Sequence, residues 1–143
     1  MEDRVRQPRC PLTGEKMSFK PDYGLRLLDG GVSPDVDHFF YDFRLFSLTI
    51  LGRGQYSTLV EIPYNGEAHA LSLDFSHEQL EQILSKATPQ LAVFIRAEIA
   101  RDPASARTID FSGEVSFGVR ARLGQLQKVQ RESFVPLVAQ EII

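Results

Sequence analysis

Three histidines, one cysteine and a knot of acidic residues are the groups in this chain whose types and spacing could do chemistry. Asp35, Asp37, His38 and Asp42 form the densest set of potential metal ligands, oxygen donors at near-alternate loop positions that could hold a hard cation. The set lacks the glycine and late glutamate of an EF-hand loop, and no second ligand segment accompanies it. Acidic turn residues following Ser33-Pro34 explain it, and neither a metal nor any other cofactor is expected. His69 could serve as a general base, since an unperturbed imidazole titrates near about 6.5. Its neighbours along and across the chain are apolar, which favours a core histidine. A hydrolase or lyase using His69 is therefore the last-ranked reading, and the balance leans away from an enzyme. His77 falls in the first turn of an expected helix and reads as solvated surface.

Cys10 has basic company in Arg9-Cys10-Pro11 that could lower its pKa. Without a CxxC or a neighbouring His, it reads as a plain thiol in a mobile arm. No GxxxxGK[ST] phosphate loop and no GxSxG elbow occurs.

The elements that must position these groups are clearest at Tyr56–Phe75. Two alternating runs flank Asn65-Gly66, the strongest short-range hairpin signal, because a type I′ turn needs positive φ at both central residues. A two-residue turn pairs Tyr64 with Glu67, Ile62 with His69, Val60 with Leu71, Thr58 with Leu73 and Tyr56 with Phe75. Upstream, residues 1–24 read as an irregular arm, with residues 25–143 forming one domain. Leu25 to Leu28 is an expected short strand, ended by Asp29-Gly30-Gly31. From His38 to Leu51 the chain is β-prone. Its apolar phase flips between Leu45 and Phe46, as a β-bulge would make it do. Gly52-Arg53-Gly54 then turns it into the hairpin, making a three-strand meander.

Ser76 and Gln79 match a capping box, and the helix after them carries Leu80, Ile83, Leu84 and Ala87 on one face. Thr88-Pro89 reads as a fresh cap for a second helix bearing Leu91, Phe94, Ile95 and Ile99. One kinked helix is the alternative. Residues 107–123 alternate cleanly, with Ile109, Phe111, Val115, Phe117 and Val119 on one side, and Gly113 and Gly118 as places for a bend. The segment from Ser133 to Ile143 is an expected last strand, pushed to an edge by Pro136. The order implies an α+β domain with a mainly antiparallel sheet and helices on one face.

Composition narrows the function classes. A net charge of −3 gives no field for nucleic acid, and no run approaches the ~18 apolar residues of a membrane helix. The charged start has no apolar segment behind it, so no secretory signal is expected, and a lone Cys suits a reducing compartment such as the cytoplasm. No family resemblance is specific enough to name. The leading expectation is a non-enzymatic interaction or assembly domain that binds a protein partner or itself. It would use a basic arm (Arg4, Arg6, Arg9), the outward Arg120 and Arg122, and the tail residues Phe134, Val135 and Leu137, pairing strand edges by β-augmentation. The alternative is a small-molecule binding domain. Its aromatic cavity would be lined by Phe43, Phe75, Phe111 and Phe117, with Tyr56 and His69 as polar anchors.

Overall fold

The computed structural model describes residues 9–10, 14–17, 23–33, 37–64, 66–128 and 134–143. Arg4, Arg6, Asp35 and Asn65 lie outside them, as do the side chains of Phe134 and Val135. Strands β3 (Gln55–Tyr64) and β4 (Glu67–Ser76) pair antiparallel in the register that a two-residue turn dictates. Tyr64 faces Glu67, Ile62 faces His69 and Tyr56 faces Phe75. Gly66, at φ +77, supplies a left-handed turn position that favours glycine.

Strand β2 (His38–Gly52) lies beside β3, and its first half pairs with β1 (Leu25–Val32). The short strand expected to stop at Asp29-Gly30-Gly31 instead runs through to Val32. Those glycines face aromatic residues across the ladder, Gly30 opposite Tyr41 and Gly31 opposite Phe40. A Cβ on Gly30 would stand 2.9 Å from the Tyr41 ring. The glycines admit rings and do not end the strand.

Strand β5 (Arg107–Arg122) pairs along most of β2, with one interruption. Leu45 faces Val115 and Ser47 faces Asp110, so Phe46 alone stands against residues 111–114. The irregularity falls where the apolar phase of β2 flips, and Gly113 lies within it. A bulge of this kind bends the pair and strengthens its twist.

The tail completes the sheet at both ends. Strand β6 (Phe134–Val138) pairs parallel with β4, while β7 (Glu141–Ile142) pairs antiparallel with β5. The sheet order is β6-β4-β3-β2-β5-β7, with β1 paired to β2 off that path. Laid flat, five strand spacings would separate β6 from β7 by about 24 Å. Yet the chain goes from Val138 to Glu141 in three steps, a reach of at most about 11 Å. The sheet must therefore curl until its ends nearly meet. The Ala139 amide donates to the Asp74 carbonyl and the Gln140 amide to the Arg120 carbonyl, tying the crossing to both arms. Gly118 explains itself here, since a Cβ would lie 2.8 Å from the Ile143 side chain.

Helix α1 (His77–Leu84) packs against β3, β4, β5 and β7, and so bridges the two arms of the curl. Leu80, Ile83 and Leu84 are its buried stripe. Its capping box is complete: the Gln79 amide donates to Ser76 Oγ, and Gln79 Oε1 accepts from the Ser76 amide. Gln79 Nε2 also donates to the Ala139 carbonyl at 2.8 Å, fastening the tail to the helix start. Helix α2 (Pro89–Arg101) is separate, capped by Thr88, and contacts β5; a one-turn α3 (Leu123–Gln127) follows β5. The molecule is thus an α+β fold around a curled, mainly antiparallel sheet.

Cys10 departs from expectation. It is buried with Met17 in the main core, and the Arg9–Lys16 bridge and the Cys10 amide bond to the Glu15 carbonyl hold it there. A small thiol behaves as a hydrophobe once a turn delivers it to the interior. Among the described residues no helix is long and apolar enough to cross a membrane.

Candidate functional site

The hairpin register decides what surrounds the start of α1. Tyr56 pairs with Phe75, its ring stacked on Phe75 at 6.2 Å. The helix cap follows at Ser76, so His77 emerges beside the Tyr56 ring. The Tyr56 hydroxyl and His77 Nδ1 are 3.3 Å apart. One turn on, the Glu81 carboxylate stands 4.0 Å from His77 Nε2. Arg96, from α2, clamps Glu81 with Nη2 at 2.7 Å from Oε1 and Nε at 3.2 Å from both oxygens.

This polar chain forms one side of a cleft of about 400 Å³. Gly54, Ile99, Ala100 and Pro103 complete its lining, so an apolar wall faces the line Tyr56–His77–Glu81–Arg96. Tyr56 is almost fully buried, whereas the side chains of His77 and Arg96 keep 58% and 48% of their surface. The His77 and Arg96 side chains are therefore about half wet, and the Tyr56 ring beside them is dry.

Electrostatics concentrate in the same place. Burial, reinforced by the Glu81 charge, raises the Tyr56 phenol above its ordinary value and keeps it protonated at neutral pH. The hydrogen bonds from Arg96 hold the Glu81 carboxyl below the usual range, against a smaller opposing effect of burial. The same bonds raise Arg96. Elsewhere among the described residues, Tyr41 is raised by burial in the core, and Asp74 by partial burial that a Ser72 hydroxyl bond at 2.7 Å offsets. Displaced titrations gather at functional clefts more than on plain surfaces. Where the phenol donates to His77 Nδ1, the neutral ring carries its proton on Nε2; in the other tautomer Nδ1 donates to the phenol oxygen.

The other residues singled out from sequence are dispersed. His69 is buried under the hairpin, its ring edge-on to Tyr64 at 6.4 Å, and does not reach the cleft. Phe43 and Phe117 lie 5.8 Å apart and line a second hollow of about 390 Å³, with Asp29, Asp42 and Lys86 also at its wall. Phe111 is buried in β5. Arg9 donates to the Gly14 carbonyl, Arg120 lies 3.7 Å from Glu141, and Arg122 caps α3 through its backbone. Leu137 is fully buried in the chain's own sheet. Among the described residues no group of three or more His, Cys, Asp or Glu side chains is placed to hold a metal ion.

Of the cleft residues, sequence reasoning had singled out Tyr56 as an anchor and set His77 aside as surface. The signal was present: pairing Tyr56 with Phe75 and capping a helix at Ser76 puts residue 77 beside residue 56. Glu81 and Arg96 carried no such signal, because the angle between two helices is set by packing. No family model matches the chain, and neither a curated protein nor a solved structure does.

Proposed function

We propose that this protein is a small-molecule binding domain, with its ligand held in the cleft between the start of the hairpin, α1 and α2. One observation carries the reading: an apolar wall and a connected line of four polar side chains converge on a single recess of about 400 Å³. Ligand sites are commonly concave and mainly apolar, with a few placed polar groups that fix orientation, in volumes of about 300–1,000 Å³. A fragment screen by protein-observed NMR tests it. The expectation is that hits move the amides of Gly54, His77 and Ala100 and raise the thermal midpoint, as a ligand of the native state must. A screen whose hits all map elsewhere, or which gives none, overturns it.

A second reading is self-association, favoured by α2. That helix buries Leu91, Ala92, Ile95 and Ile99 yet leaves Val93 and Phe94 exposed beside a groove of about 300 Å³. A second copy of the chain, related by a two-fold axis, would cover this face. Strand-edge pairing would use margins other than Ala70–Asp74 of β4 and Val119–Arg120 of β5, where β6 and β7 already pair. Light scattering of the full chain at tens of micromolar decides the matter: a dimer disrupted by Phe94→Asp supports it, and a monomer ends it.

A further inference from the structure

Resting on the reading of the cleft as a ligand site, we propose that its ligand is an apolar organic acid. Its carboxylate would meet Arg96 and His77, and its hydrocarbon body would lie along Tyr56, Ile99, Ala100 and Pro103. The donor count points this way. Arg96 spends Nε and Nη2 on Glu81, which leaves the two N–H groups of Nη1 uncommitted among the described residues. The Tyr56 hydroxyl lies 3.3 Å from His77 Nδ1, and His77 Nε2 stands 4.0 Å from Glu81, beyond hydrogen-bond range. Arg96 Nη1, joined by His77 Nε2 when that nitrogen carries the proton, therefore offers donors beside the Glu81 carboxylate in the cleft lining.

The acceptor count weighs against the opposite class. Glu81 is the acidic residue in the cleft lining, and both its oxygens already accept from Arg96. An amine would find no unpaired negative charge, and would sit near the Arg96 guanidinium. A neutral alcohol would accept from the same donors, but with the charge on the donor side alone and without the ion-pair attraction a carboxylate adds. The body of the ligand follows from the wall, where Ile99, Ala100, Pro103 and the Tyr56 ring offer hydrocarbon. The bidentate Arg96–Glu81 clamp pre-orients the guanidinium, so little side-chain freedom is lost on binding.

The test uses the full chain and three matched probes: 3-phenylpropanoate, 3-phenylpropanol and 3-phenylpropylamine, titrated by calorimetry at neutral pH. The acid should bind at least about tenfold more tightly than the alcohol, with no measurable heat for the amine. Arg96→Gln should remove that advantage, weakening the acid by at least about tenfold and the alcohol by less. An alcohol or amine that binds as well as the acid overturns the inference, as does Arg96→Gln with undiminished affinity for the acid. Failure of the class and failure of the cleft separate cleanly. If the fragment screen fills the cleft and phenylpropanoate does not bind, the acid class falls alone; if the screen leaves the cleft empty, both fall.

Discussion

His69 and His77 lie eight positions apart along the chain and in opposite physical situations. His69 sits mid-strand, paired with Ile62 and closed over until it is 5% exposed. His77 opens a helix, keeps more than half its side chain in water, and touches a buried phenol on one side and a carboxylate on the other. Strand periodicity alone buries the first. The second acquires its surroundings from a register, a helix cap and a helix–helix contact acting together. A residue's chemistry is thus settled less by its own neighbours in sequence than by how many elements end beside it.

That contrast can be broken in measurable ways. Ile83, fully buried on the core face of α1, is the first point of attack. Ile83→Ala should cost about 2–5 kcal/mol, seen as a lower urea midpoint with an unchanged slope, and should weaken the cleft with it. His69→Ala comes next, at about 2 kcal/mol, since it removes a buried ring beside Ile62 and Tyr64. Ligand affinity measured on the folded fraction should be unaffected. His77→Ala inverts the pattern: stability falls by no more than about 1 kcal/mol, the worth of one hydrogen bond to Tyr56, while binding of the acid probe falls. Equal stability losses for the two alanine variants would erase the distinction between these neighbourhoods.

The smallest effect is one of pH. Glu81 has a folded-state pKa below its unfolded value, so its contribution to stability is fully present above the ordinary carboxylate range. That contribution fades as pH falls through the lowered value. Urea midpoints of the wild type and of Arg96→Gln should converge on acidification and separate above about pH 5. Curves that stay parallel throughout would show that the clamp does not hold in solution. Because the pair is largely exposed, added salt should narrow the gap.

Much of this architecture can be read along the chain. The Asn65-Gly66 spacing sets the β3–β4 register, Ser76 and Gln79 set the start of α1, and Thr88-Pro89 separates the helices. The phase flip at Leu45 and Phe46 marks the bulge. These features are legible because each depends on residues close in sequence. Gly30 and Gly31 mislead because a glycine that ends a strand and one that makes room for an opposite ring look alike until the partner is known. Cys10 misleads for a related reason: burial of an irregular segment depends on what it folds against. The Glu81–Arg96 clamp spans fifteen residues and two helices, and no periodicity announces it. The four-residue side group of the cleft was half legible, through Tyr56 and the cap that places His77.

The junction at Ala139 and Gln140 has a bearing on how the molecule is made. Everything up to α3 precedes residues 134–143 in chain order, so a nascent chain leaves the β4 and β5 margins that they pair with uncovered until those residues arrive. Those residues then close contacts with partners at Ala70–Asp74 and Val119–Arg120, more than sixty and more than twenty positions upstream respectively. Long-range pairing of that sort is slow, and bare strand margins are sticky while it is pending. The interval between emergence of α3 and seating of Leu137 is therefore when the protein is most exposed to aggregation. Mutations in the tail should act on yield in cells before they act on anything done by the finished fold.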